Sequence, residues 1–97
     1  GPYTVHLEKH LVYCGSESIS LTVKEYDLLL YLAANRGHVL KRGDILDAVW
    51  GYTFYGSDRV VDDTIRRLRK KLPGIEISTL YGLGYCLTEE RHESLCD

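Results

Sequence analysis

The sequence predicts an α+β fold: an N-terminal antiparallel sheet, then three helices, then a C-terminal β-hairpin. Three observations carry this expectation. Residues 3–21 alternate apolar and polar side chains with the period of a half-buried strand. Residues 21–72 space their apolar side chains three and four apart, as amphipathic helices do. Residues 75–88 return to short apolar runs around Gly82 and Gly84, the pattern of strand, turn and strand. At 97 residues the chain holds one small domain, assigned to residues 3–88.

Each element has a local reason. Tyr3, Val5 and Leu7 alternate with Thr4, His6 and Glu8; Leu11 and Tyr13, then Ile19 and Leu21, repeat the pattern after polar breaks, which reads as a meander. Thr22-Val23-Lys24-Glu25 is a capping box, so a first helix is expected over 21–35, with Tyr26, Leu29, Leu30 and Ala33 inward. Gly37 suits a left-handed position after its end. Val39-Leu40 is a short extended link. A second helix is expected over 43–50, with Ile45, Leu46 and Val49 inward; neither Lys41 nor Arg42 is a good N-cap. Residues 50–58 form a loop with four aromatics, which serve either as contact surface or as plugs at the edge of the core. A third helix spans 59–72 and stops at Pro73-Gly74, and 75–88 form the hairpin.

Composition excludes several classes. A 44% hydrophobic and 27% charged chain folds and is soluble, and no apolar run approaches the roughly 20 residues of a membrane helix. No signal peptide is expected. The absence of Met, with Gly1-Pro2 reading as a scar of tag cleavage, leads to the expectation of a longer parent protein. Cys14, Cys86 and Cys96 lack metal-site spacing and read as reduced cytosolic thiols. No metal or cofactor site is expected. Gly82-Leu83-Gly84 opens a strand rather than a helix, so it is not a phosphate-binding loop, and no catalytic set is recognisable; an enzyme is not expected.

The net charge of −2 conceals an uneven distribution. Residues 1–35 carry −2, residues 36–74 carry +4 from nine basic and five acidic side chains, and residues 75–97 carry −4, ending in an acidic tail over 89–97. The third helix concentrates the positive charge. Projected at about 100° per residue, Val61, Ile65, Leu68 and Leu72 fall within about 60° of arc; Arg59, Arg66, Arg67 and Lys70 lie roughly opposite, with Asp63 among them. Arg69 and Lys71 occupy the flanks. A cylinder with an apolar back and guanidinium forks in front suits the major groove of DNA. The same face also suits a solvated helix held by Asp63–Arg67 and Asp62–Arg66 ion pairs at i, i+4 spacing. Three helices followed by a hairpin form a winged helix-turn-helix layout.

Four segments in order make the pattern specific: Leu21-Thr22-x-x-Glu25-Tyr26-x-Leu28-Leu29; Val49-Trp50-Gly51; Arg59-x-Val61-Asp62-x-x-Ile65-x-x-Leu68-Arg69-x-Lys71-Leu72; and Ile77-x-Thr79-Leu80-x-Gly82-x-Gly84-Tyr85. Together they resemble the C-terminal effector domain of OmpR/PhoB-type response regulators over about residues 3–88. The resemblance implies a four-stranded N-terminal sheet, three helices and a hairpin wing. It implies sequence-specific binding of double-stranded DNA, in a cytoplasmic bacterial two-component system, with a sensor kinase acting on an N-terminal receiver domain.

By the same resemblance, Arg67 reads bases, while Arg59, Arg66 and Arg69 contact phosphates or base edges. Thr64 sits at a polar contact position, Trp50 lies near the DNA backbone and Thr79 touches phosphate. Tyr52, Thr53, Phe54 and Tyr55 fall in a loop that meets RNA polymerase in activators. Full-length proteins of this kind pair on direct-repeat sites, and the isolated domain is expected to be monomeric. Four departures stand out. Tyr81 occupies the place of a wing arginine, where it can pack on a sugar or donate its hydroxyl. Cys86 replaces a cation, and Lys41 replaces a capping serine. Asp63 replaces an apolar contact, where it can orient Arg59 and Arg67 or accept from a cytosine amine. The alternative function is a winged-helix protein-interaction module that has lost DNA binding and meets an acidic protein instead.

Overall fold

The structure is a computed structural model that describes residues 3–6, 11–14, 17–54 and 56–88. Strands β1 (Tyr3–His6), β2 (Leu11–Cys14) and β3 (Glu17–Ser20) form an antiparallel meander. Tyr3 pairs with Cys14, and Leu11 with Ser20. The sheet has three strands among the described residues, not the four that the resemblance implied.

Helix α1 (Val23–Ala34) starts at the expected capping box. The Glu25 amide donates to Thr22 Oγ1 at 3.2 Å, and the Thr22 amide donates to Glu25 Oε1 at 3.0 Å. Its buried apolar positions are Tyr26, Leu28, Leu29 and Leu32, with Glu25 buried beside them, whereas Ala33 is exposed. The buried arc is rotated and wider than expected because α1 packs against both other helices. Gly37 is left-handed, at φ +85°, and its amide donates to Leu87 O.

Leu40–Lys41 is a strand, β4, rather than a bare link. Helix α2 (Arg42–Val49) follows directly, and its N-cap, Lys41, offers no side-chain cap. Gly51, at φ +95°, ends α2: its amide donates to Asp47 O, the left-handed closure that glycine permits. Helix α3 (Arg59–Lys71) buries Val61, Ile65 and Leu68, with Leu72 just past its end. Strands β5 (Ile77–Leu80) and β6 (Gly84–Leu87) form the hairpin and join β4 in a sheet of order β4-β6-β5.

The core lies where the three helices meet the hairpin: Leu28, Leu32, Ile45, Val61, Leu68 and Leu72 are fully enclosed. Each such side chain contributes about 1.5–3 kcal/mol through burial. Leu40 O lies so close to Gly84 that a Cβ there would overlap it. Glycine at 84 is therefore what lets β4 reach β6. Among the described residues no helix is long and apolar enough to cross a membrane.

Candidate nucleic-acid interface

Helix α3 has two faces. Val61, Ile65, Leu68 and Leu72 anchor it in the core against α1 and α2, and this leaves Arg59, Arg66, Arg67 and Lys70 exposed together on the outside. The N-terminus of α3 lacks a side-chain cap from Asp58; the Arg59 amide donates to Ser57 Oγ at 3.1 Å instead. Asp58 is committed elsewhere. Its carboxylate accepts from Arg42 Nη2 at 3.0 Å, and the same nitrogen donates to Asp62 Oδ2 at 2.7 Å. Asp62 therefore pairs with Arg42, not with Arg66 as the i, i+4 spacing suggested. Its other oxygen accepts from the Tyr85 hydroxyl at 2.6 Å. Burial first, and then this bond to Asp62, push the Tyr85 phenol up to about 12.

The six cations of α3 divide by use. Lys71 donates to the buried Glu25 carboxylate at 2.6 Å and to Ser20 O at 3.2 Å, which pins the end of α3 to α1 and to the N-terminal sheet. Arg69 donates to Ile77 O and, at 2.9 Å, to Thr79 Oγ1, and stacks over the Tyr85 ring at 5.9 Å. It is a strut between α3 and β5. Arg66 and Arg67 both donate to Asp63, at 2.7 Å and 2.8 Å. Arg59 and Lys70 have no ion-pair partner among the described residues, and Arg59 does not meet Asp63.

The other expected site residues fall in different settings. Thr64 is only 4% exposed, and its hydroxyl donates to Val60 O at 2.7 Å, so it does not share the cationic face. Trp50 is half-buried, 6.4 Å from the Phe54 ring, with Lys24 Nζ 6.0 Å from its centroid. Phe54 is half-buried beside Trp50, while Tyr52 is 88% exposed and Thr53 is also open to solvent; Tyr55 lies outside the described residues. Tyr81, at the hairpin tip, is 92% exposed, and Leu83 beside it is 58% exposed. Thr79 is half-buried under Arg69. Residues 77–87 carry no charged side chain at all.

Two residues that the sequence did not single out for the site stand out in the structure. A groove of about 650 Å³ runs between the hairpin and the start of α2, and Lys41, Arg42, Tyr81 and Tyr85 line it. Lys41 is exposed and pairs through its backbone with Gly84, which sets a cation beside the uncharged hairpin. No local pattern announces this, because β4 has only two residues and its partner lies more than forty positions away. Arg42 likewise finds its carboxylates 16 and 20 positions on. Cys86 is buried with a free thiol; the Cys14 side chain and Cys96 lie outside the described residues.

Known proteins share this arrangement. The family described as "Transcriptional regulatory protein, C terminal" matches residues 15–87. The transcriptional regulatory protein CssR of Bacillus subtilis is 54% identical over 67 residues, covering 69% of this chain and 30% of CssR. The chain thus spans under a third of that relative. The crystal structure of the CssR DNA-binding domain superposes with a TM-score of 0.83 at 46% identity, covering 88% of this chain and 98% of that one. The Klebsiella pneumoniae RstA DNA-binding domain, solved in complex with the RstA box, gives a TM-score of 0.79 at 33% identity, covering 91% and 92%. With this match over most of its length and with three helices closed by a hairpin wing, the chain belongs to the C-terminal domain family of transcriptional regulatory proteins, the winged-helix effectors of OmpR/PhoB-type response regulators.

Proposed function

We propose that the chain binds double-stranded DNA sequence-specifically, with α3 in the major groove, as the effector domain of a two-component response regulator. The observation that carries this reading is the exposed set Arg59, Arg66, Arg67 and Lys70, presented together by a helix whose opposite face is locked into the core. Arg67 reads a base edge, and Arg59, Arg66 and Lys70 meet phosphates or neighbouring edges. Lys41 faces the adjacent backbone strand. Tyr81 packs on a sugar at the hairpin tip, and Trp50 and Thr79 approach phosphates. Arg69 supports the site by bracing the hairpin. The similarity to a domain solved with its box supports the reading.

In the full-length protein, a sensor kinase acts on an N-terminal receiver domain in the bacterial cytoplasm, and two copies pair on direct-repeat sites. The loop bearing Tyr52, Thr53, Phe54 and Tyr55 is assigned to RNA polymerase. The isolated domain binds as a monomer. The test is selection of bound duplexes from a random pool, followed by fluorescence anisotropy at several salt concentrations. Four to five phosphate-facing cations give a log–log salt slope of about −3.6 to −4.5. A single recovered consensus supports the reading.

The uncharged hairpin and the carboxylate of Asp63 favour a second reading, a protein-interaction module for an acidic partner. Absence of duplex binding at low salt selects it.

A further inference from the structure

The charges on the exposed face of α3 do not act independently. Asp63 stands among them and uses both carboxylate oxygens on its neighbours: Arg66 Nη2 donates to Oδ1 at 2.7 Å, and Arg67 Nη2 donates to Oδ2 at 2.8 Å. The Arg66 hydrogen bond holds the carboxyl below its ordinary value; slight desolvation opposes this and the Arg67 charge reinforces it. Asp63 is therefore an anion wherever a duplex is stable.

Three physical consequences follow for a helix laid against DNA. A carboxylate on the approaching face repels phosphate whatever the sequence. Each arginine keeps most of its five donors while one is held by Asp63, so both forks can still bond a base or phosphate from a fixed direction. Asp63 itself can only accept. Among base edges in the major groove, the cytosine N4 amine is the donor without a neighbouring acceptor on the same base, whereas guanine O6 and N7 and thymine O4 oppose a carboxylate.

We propose that Asp63 is a specificity-determining residue that weakens binding to arbitrary duplex and favours sites that set a cytosine amine against its carboxylate, with Arg66 and Arg67 held toward the flanking positions. This rests on the DNA reading above. It differs from a phosphate contact because removing it strengthens binding to random sequence.

The test compares the full chain with its Asp63→Asn and Asp63→Ala variants, each confirmed folded by circular dichroism, on a random duplex and on the duplex selected by the wild type. Both variants bind the random duplex about 3–10-fold tighter at low salt, with a log–log slope steeper by about one. Their ratio of specific to random affinity falls by at least the same factor. Repeated selection loses a cytosine preference at one position for Asp63→Ala and moves it to adenine for Asp63→Asn, whose amide matches the adenine edge. Random-duplex affinity that stays level or drops in both variants overturns the proposal, as does an unaltered consensus. Wild-type chain that fails to bind duplex at low salt overturns the DNA reading and this proposal together, so the two failures are distinguishable.

Discussion

Arg67 is exposed, reaches outward from the middle of α3 and is steadied by a carboxylate one turn back. Arg67→Ala should cost about 1–3 kcal/mol on the selected duplex and relax selectivity at one position, read by anisotropy against single-base variants of the site. Glu25 and Tyr85 make stability depend on pH at opposite ends. Burial raises the Glu25 carboxyl, but bonds from Lys71 and Thr22 outweigh it, so its folded value lies below the ordinary 4.5. The ionised form favours folding. Its contribution is full above about pH 4.5 and is lost as pH falls through the folded value. Melting temperature followed into acid should fall less steeply for Glu25→Gln, which also loses about 1–3 kcal/mol at neutral pH because Lys71 loses its charged acceptor and keeps Ser20 O. Tyr85 titrates in the other direction, with a folded value of about 12 against an ordinary 10.0. Its contribution is full below about pH 10 and disappears as pH rises toward about 12, so Tyr85→Phe should flatten alkaline unfolding measured by circular dichroism.

At the scale of elements, the hairpin depends on the close approach of β4 and β6. Gly84→Ala would place a methyl group on the Leu40 carbonyl, a backbone atom that cannot turn aside. We expect a loss of about 2–4 kcal/mol, a drop of roughly 10–25 °C in melting temperature for a domain of this size. The hairpin tip carries a separate expectation. Tyr81→Ala should weaken duplex binding without changing the salt slope, because no charge is removed, whereas Tyr81→Arg should steepen the slope by about one. An altered slope in Tyr81→Ala would show that the tip acts through electrostatics. The helices were readable because their signals are local: the Thr22–Glu25 capping box and the apolar stripe Val61, Ile65, Leu68 and Leu72 each lie within a few turns. The fate of the cations was not. Arg69 bonds Thr79, Lys71 bonds Glu25 and Arg42 bonds Asp62, and all three depend on tertiary neighbours that helical periodicity does not register. Thr64, a turn beyond Val60 and Val61, lies at the edge of the buried arc and bonds Val60 O, a placement that helical periodicity alone leaves open.

For the molecule as a whole, the relevant quantity is not the net charge of −2 but how few cations remain uncommitted on α3. With Lys71 and Arg69 spent on structure and Arg66 and Arg67 shared with Asp63, only Arg59 and Lys70 lack an ion-pair partner among the described residues of that helix. Two copies side by side, as proposed for the full-length protein, would double this modest electrostatic attraction. The braces around the hairpin have one more effect. The Arg69 strut and the Tyr85–Asp62 bond fasten the strands of the hairpin to α3, and β4 holds the far edge of β6. These bonds set the spacing between α3 and the base of the hairpin. A duplex whose grooves do not match that spacing must bend or change width to meet both ends, at a cost set by its own base steps. Under the proposed DNA reading, such a spacing would make binding sensitive to base pairs that no side chain touches.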